Sequence, residues 1–221
     1  MTHKMSPRAR TRPHDTRPRS EVPVYLPSEE DTARHVTGKR TGQGHYAGNL
    51  SREDLLKRIA RVDQAGEYGA VRIYQGQLAV LGNKSANVGV LRHMLEQEEE
   101  HLATFDKELL KRRARPTLMT PIWHAAGFAL GAGTALIGEK AAMACTTAVE
   151  EAIDEHYQAQ YEQIGDDELP LKATIAKFRE EELEHRDIGY ANGAEEAPAF
   201  PLLSGAIKAG TKVAIWLSER I

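Results

Sequence analysis

The sequence predicts an all-α protein, a four-helix bundle with further amphipathic helices attached. Three observations predict it. Apolar residues recur at i, i+3 or i+4, and i+7 through four long stretches, the rhythm of one helix face. No alternating strand pattern or hairpin turn signal competes with that rhythm. The composition favours Ala, Glu, Leu and Arg and is only 6% aromatic, which suits helices.

The chain divides into a tail, 1–48, and a body, 49–221. The tail holds many Arg, Pro, Thr and His and few apolar residues, and reads as a disordered basic segment. Residues 1–20 contain six Lys or Arg against one acid, Asp15. Pro7, Pro13 and Pro18 interrupt the amphipathic face that a transit peptide needs. No secretory signal peptide is visible.

In the body, Ser51 is a helix N-cap with acids in the following turn. Helix one carries the stripe Leu56, Ala60, Asp63, Glu67, Ala70, Tyr74, Leu78, Leu81 and ends near Gly82. Helix two covers roughly 87–113, with the stripe Leu91, Leu95, Leu102, Phe105, Leu109. Pro116 and Pro121 bracket a break. An Ala/Gly-rich stretch, 122–149, is expected to run on into helix three, which continues to about 164. Helix four spans about 171–191 with the stripe Leu171, Ile175, Phe178, Glu182, His185, Gly189. Pro198 and Pro201 precede a last amphipathic helix, about 202–219.

With 221 residues the chain can bury one sizeable core. A net charge of −3 gives no reason to expect a nucleic-acid partner. The single cysteine, Cys145, excludes a disulfide framework, suits a reducing compartment and reads as a small core residue.

Glutamates interrupt the apolar stripes at four places. Glu98 stands where helix two should present an apolar residue, and His101 follows three positions on. Glu182 and His185 repeat this in helix four. Residues i and i+3 are neighbours on a helix, with Cβ atoms about 5–6 Å apart, so each pair can reach one ion. Helices one and three each offer a lone inward glutamate, Glu67 and Glu150. The order Glu, Glu-x-x-His then occurs twice, with spacings of 31 (67 to 98) and 32 (150 to 182) residues. Four carboxylates cannot stay ionised in a core without compensation, and no Lys or Arg lies on the same stripes. Two divalent cations would compensate them. Four Glu and two His on four helices is the ligand set of ferritin-like di-iron and di-manganese proteins, and carboxylate with imidazole suits Fe or Mn. Glu181 also lies within reach of His185; the equivalent position in helix two is Gln97, so the repeat supports Glu182.

The stretches RVDQAGEYGA (61–70), LEQEEEHL (95–102), GFALGAGTALIGEKAAMACTTAVEEAIDEHY (127–157), EELEHRDIG (181–189) and VAIWLSERI (213–221) resemble the demethoxyubiquinone hydroxylases of ubiquinone biosynthesis. The resemblance covers about 50–221. It implies two iron ions per chain held by Glu67, Glu98, His101, Glu150, Glu182 and His185, and it selects Glu150 over Glu151. It implies a monooxygenase that hydroxylates the ring of a 5-demethoxyubiquinol-type polyprenyl quinol with O₂. Its electrons would come from NADH or from the quinol. A lipid-binding accessory protein and other enzymes of the pathway are the implied partners, besides the membrane surface. The expected location is the cytoplasmic face of a bacterial inner membrane, or alternatively the matrix face of the mitochondrial one. No GxGxxG follows a strand, which argues against a Rossmann nucleotide site.

Three further residues are candidates. Tyr157 lies on the Glu150 face and His156 beside it, placed to orient substrate or move a proton or electron, or simply packed. Asp63, one turn before Glu67, is placed to accept the free ring N–H of a ligand histidine, or to make an ordinary buried hydrogen bond.

Residues 118–138 contain no charged side chain. Pro121, His124 and four glycines argue against a regular membrane span and favour an interfacial helix with Trp123 near the surface. Leu203, Ile207, Trp216 and Leu217 of the last helix are expected to join it. Gly127 and Gly131 form GxxxG, a close-packing motif in lipid or in a soluble bundle. A ferritin-like iron store or peroxide scavenger would share the six residues but needs no apolar surface, and a lipid-binding scaffold would not need the six residues at all.

Overall fold

A computed structural model describes residues 50–82 and 85–221. The expected basic tail, 1–48, lies outside the described residues. Among the described residues six helices follow in order: α1 (Arg52–Leu81), α2 (Val88–Arg112), α3 (Thr120–Ile137), α4 (Glu139–Gln163), α5 (Leu169–Ala191) and α6 (Phe200–Arg220). Short 3-10 turns at Asp166–Glu168 and Ala194–Glu196 lead into α5 and α6. No strand occurs among the described residues.

Local chemistry sets the boundaries. Ser51 caps α1: its hydroxyl oxygen accepts the Asp54 N–H at 3.1 Å. Gly82, at φ 58°, ends it. The expected run from 122 to 164 is corrected, because it is two helices. Gly138 sits at φ 144°, which no helix accommodates, and its carbonyl accepts the first N–H groups of the new helix, those of Ala141 and Ala142. Pro121, Pro170 and Pro201 stand in the first turns of α3, α5 and α6, where a missing N–H costs nothing.

The hairpins α1–α2 and α4–α5 form the four-helix bundle, with α3 packed along α1 and α6 along α4. The α1–α3 approach is backbone to backbone. A Cβ on Gly127 would lie 2.9 Å from the Gly69 carbonyl oxygen, one on Gly131 2.8 Å from the Ile73 carbonyl carbon, and one on Gly76 2.8 Å from the Ala132 nitrogen. The GxxxG of α3 therefore serves packing inside the protein.

Buried apolar side chains form two clusters. One holds Leu56, Phe105, Ile153, Ile175 and Phe178. The other holds Tyr74, Leu91, Met94, Met143 and Ala197. On α2 and α5 the acidic and histidine positions fall between the two, so the bundle carries a polar layer between apolar ones.

Candidate metal centre

On α2 the buried residues are Leu91, Met94, Glu98, His101, Phe105 and Leu109. This corrects the expected stripe. Leu95 and Leu102 are only half-buried, because the 3.6-residue period brings Met94, not Leu95, to the centre of the face. Glu98 and His101 point inward as expected. On α5 every expected stripe position is buried, Glu182 and His185 included. Glu67 on α1 and Glu150 on α4 are each only 1% exposed.

These six side chains meet. The inner nitrogen of His101, Nδ1, lies 3.1 Å from Glu182, 3.6 Å from Glu67 and 4.0 Å from Glu98. His185 Nδ1 lies 3.1 Å from Glu98 and 3.4 Å from Glu182. They form two overlapping groups, Glu67–Glu98–His101–Glu182 and Glu98–Glu150–Glu182–His185. Within each, one donor atom per residue lies within 4.8 Å of the others. Glu98 and Glu182 belong to both.

The donor set fits a pair of cations. Both oxygens of Glu98, one oxygen each of Glu67, Glu150 and Glu182, and His185 Nδ1 are buried without a hydrogen-bond partner. No Lys or Arg is buried among the described residues. Orphaned acceptors of this kind are costly unless cations or protons answer them. Burial, then the neighbouring Glu182 carboxylate, pushes the Glu98 and Glu150 carboxyls well above the usual range. For Glu182, burial acts in the same direction, but the hydrogen bond from His101 and the adjacent His185 ring outweigh it and hold the carboxyl low. Burial disfavours charging His101, yet Glu182 and Glu67 raise its pKa, and Glu182 does the same for His185.

Two phenols steady the outer carboxylates. Tyr157 on α4 donates to Glu67 on α1. Tyr74 on α1 donates to Glu150 on α4 at 2.9 Å. Tyr74 was legible only as an apolar-stripe residue. The signal that could have found it is a tyrosine seven residues after each lone glutamate, 67 to 74 and 150 to 157. Burial, followed by the surrounding carboxylates, raises both phenols well above their ordinary pKa, so both remain donors.

His156 and Asp63 are placed differently. The Gln160 amide donates to Asp63 at 2.6 Å and to His156 Nε2 at 2.8 Å. Of the two roles expected for Asp63, the structure shows the ordinary buried hydrogen bond and not one from a ligand histidine: Asp63 sits a turn before Glu67, against the C-terminal half of α4, where Gln160 and His156 are its partners. Glu151 faces away from the cluster, accepting from Tyr190 at 2.6 Å and pairing with Lys208.

A cavity of about 300 Å³ lies between α1, α3, α4 and α6. Gly66 and Ala70, which flank Glu67 on α1, and Val149 and Ile153, which flank Glu150 on α4, line it. Gly69 of α1, Leu130 of α3 and Ile215 of α6 are also part of its wall.

Residues 54–218 match the family described as ubiquinone biosynthesis protein COQ7. The chain belongs to that family. It is 68% identical over 211 residues to a 3-demethoxyubiquinol 3-hydroxylase of Rhodospirillum rubrum, across 96% of this chain and 100% of the relative. It is 49% identical over 193 residues to the mitochondrial NADPH-dependent 3-demethoxyubiquinone 3-hydroxylase of Homo sapiens, across 83% and 88% of the two chains. With the mitochondrial 5-demethoxyubiquinone hydroxylase of Saccharomyces cerevisiae it shares 41% identity over 231 residues, 91% of this chain and 99% of the relative. The resemblance read from the sequence motifs is thus borne out, and the all-α bundle with it. The buried Glu/His groups of this hydroxylase family member could bind metal.

Proposed function

We propose that this chain is an O₂-dependent monooxygenase that hydroxylates the ring of a demethoxyubiquinol-type polyprenyl quinol. The observation that carries the reading is the pair of overlapping four-residue groups sharing Glu98 and Glu182, set in a chain of a ubiquinone biosynthesis family. Glu67 and His101 would hold one ion, Glu150 and His185 the other, and Glu98 and Glu182 both. Two iron ions bound there would supply the activation of O₂.

The protein's own groups do the rest. Tyr157 and Tyr74 orient Glu67 and Glu150 through hydrogen bonds. The apolar cavity receives the quinol ring beside the segments that carry those glutamates and excludes water from it. The electrons come from a reduced nicotinamide or from the quinol itself. NADH or the quinol was the expectation, and the human relative carries NADPH in its name.

A polyprenyl substrate requires docking to a bilayer, and we place the docking face on α3 and α6. No helix among the described residues is long and apolar enough to cross a membrane. Ile122, Leu136 and Ile137 of α3 and Leu202, Val213 and Trp216 of α6 are exposed large apolar residues, which support peripheral association. The expected anchors are not equally placed. Trp123 is half-buried and donates its indole N–H to Ser218 at 3.0 Å, so Trp216 is the better anchor. Ile207 belongs to the core. The proposed location remains the cytoplasmic face of a bacterial inner membrane, with the mitochondrial matrix face as the alternative. A lipid-binding accessory protein and other pathway enzymes remain proposed partners.

The test is iron-loaded protein given a reductant, a demethoxyquinol analogue and labelled O₂. The product should gain one labelled oxygen atom. Oxygen derived from water, or no product from fully loaded protein, would sink the reading and favour a peroxide scavenger. Comparing NADH, NADPH and excess quinol identifies the electron source.

A further inference from the structure

The pseudo-repeat that pairs α2 with α5 has an outer layer, and there it is asymmetric. Residues Gln97, Glu98 and His101 of α2 correspond to Glu181, Glu182 and His185 of α5. Each residue that precedes a shared glutamate reaches across to the opposite histidine. Glu181 lies 2.9 Å from His101 Nε2. Gln97 Oε1 lies 3.0 Å from His185 Nε2. In both rings Nδ1 faces the carboxylate cluster and Nε2 faces outward. A ring that gives Nδ1 to a cation must carry its proton on Nε2, and Glu181 and Gln97 are the acceptors of those two protons.

The two acceptors differ by a full charge. Glu181 is a carboxylate, half-buried, and Lys177 holds its other oxygen at 3.2 Å. Phe178 stacks on the His101 ring at 3.9 Å between centroids and closes the far side. Gln97 is a neutral amide, and His185 meets Tyr74 edge-on at 6.3 Å instead. A carboxylate behind an imidazole fixes its tautomer and makes it a stronger donor; an amide fixes the tautomer and adds little to donor strength.

We propose that Glu181 and Gln97 are positioning residues that make the two ion sites unequal, with Glu181 giving the Glu67–His101 site the higher affinity for a divalent cation. This rests on reading the six-residue cluster as a two-metal centre. Glu181 acts through His101 and is not itself a ligand: it lies at the outer ring nitrogen and belongs to neither four-residue group.

The test is anaerobic titration of the metal-free full chain with Mn(II), following the free-ion paramagnetic signal. Wild type should take up two ions in unequal steps. Glu67→Ala should remove the tight step and Glu150→Ala the weak one. Glu181→Gln, nearly isosteric, should weaken the tight step about ten- to hundredfold. Gln97→Glu should strengthen the weak step. The double exchange should transfer the tight step, so that Glu150→Ala now removes it, an outcome no merely structural role produces. An unchanged tight step in Glu181→Gln overturns the proposal, as does loss of that step as complete as in Glu67→Ala, which would make Glu181 a ligand. Uptake of no Mn(II) by wild type overturns instead the two-metal reading beneath it.

Discussion

Tyr74 of α1 reaches across the bundle to donate a hydrogen bond to Glu150 of α4, and Tyr157 of α4 returns one to Glu67 of α1. The two hairpins are therefore tied together by reciprocal phenol–carboxylate bonds on either side of the six-residue cluster. Each bond removes one buried acceptor from the unsatisfied set and holds the glutamate's remaining oxygen free.

Tyr74→Phe and Tyr157→Phe should each destabilise the metal-free protein by about 1–3 kcal/mol, the cost of stranding a buried acceptor. Both should retain metal, and Tyr157→Phe should slow turnover. Denaturant unfolding of the metal-free variants and metal analysis of the loaded ones check this. Unchanged stability in both would mean that the phenols do not hold the carboxylates.

The shared and private glutamates should behave differently. Glu98→Ala and Glu182→Ala each remove a donor from both groups and should abolish uptake of both ions. Glu67→Ala or Glu150→Ala should leave about one ion per chain, since each belongs to a single group. Glu181→Ala should keep most of the metal. Elemental analysis of purified variants decides; equal losses from Glu181→Ala and Glu182→Ala would reassign the α5 ligand.

Gly131→Ala should separate α3 from α1. The new methyl would lie 2.8 Å from the Ile73 carbonyl carbon, where neither backbone can yield cheaply. The gain in helix propensity is at most about 1 kcal/mol. Overpacking typically costs about 1–3 kcal/mol, so net destabilisation is expected. Gly133→Ala on the same helix meets nothing within 4 Å and should be neutral or stabilising in the same thermal unfolding experiment.

Leu136→Glu and Trp216→Glu should weaken sedimentation with anionic liposomes while iron content stays unchanged, because both residues are more than half exposed and the six clustered side chains are buried. Wild-type protein that fails to sediment with any liposome would remove the docking proposal.

At the far end of the bundle, Arg112 of α2 grips Glu168 through two bonds, 3.2 and 2.8 Å long. That hydrogen-bonded pairing holds the Glu168 carboxyl below its ordinary value, and Glu168 raises Arg112. A depressed carboxyl pKa contributes stability above its unfolded value of about 4.3 and loses it as pH falls through the lower folded value. Partial exposure keeps this to about 0.5–1 kcal/mol. Glu168→Gln should be less stable than wild type by that amount at neutral pH and equal to it once both folded and unfolded carboxyls are protonated.

The sequence alone determined that six polar residues would face inward. Glu67, Glu98, His101, Glu150, Glu182 and His185 break apolar stripes, and a helix has only one face to bury, so their direction followed from period and spacing. It also determined the all-α class and the family, because the matching stretches run through every helix of the bundle. Tertiary structure decided what spacing within one helix cannot carry. The break at Gly138 depends on a backbone angle that an Ala/Gly run does not announce. Asp63 bonds to Gln160 and His156, and Tyr74 to Glu150, because those partners lie on a helix 76 to 97 residues away in sequence. The unequal outer partners Glu181 and Gln97 stood next to the ligand motif in the sequence. Only the crossing of α2 against α5 shows that each serves the opposite helix's histidine, since a side chain's partner across a bundle is set by how the helices pack and not by its neighbours along the chain.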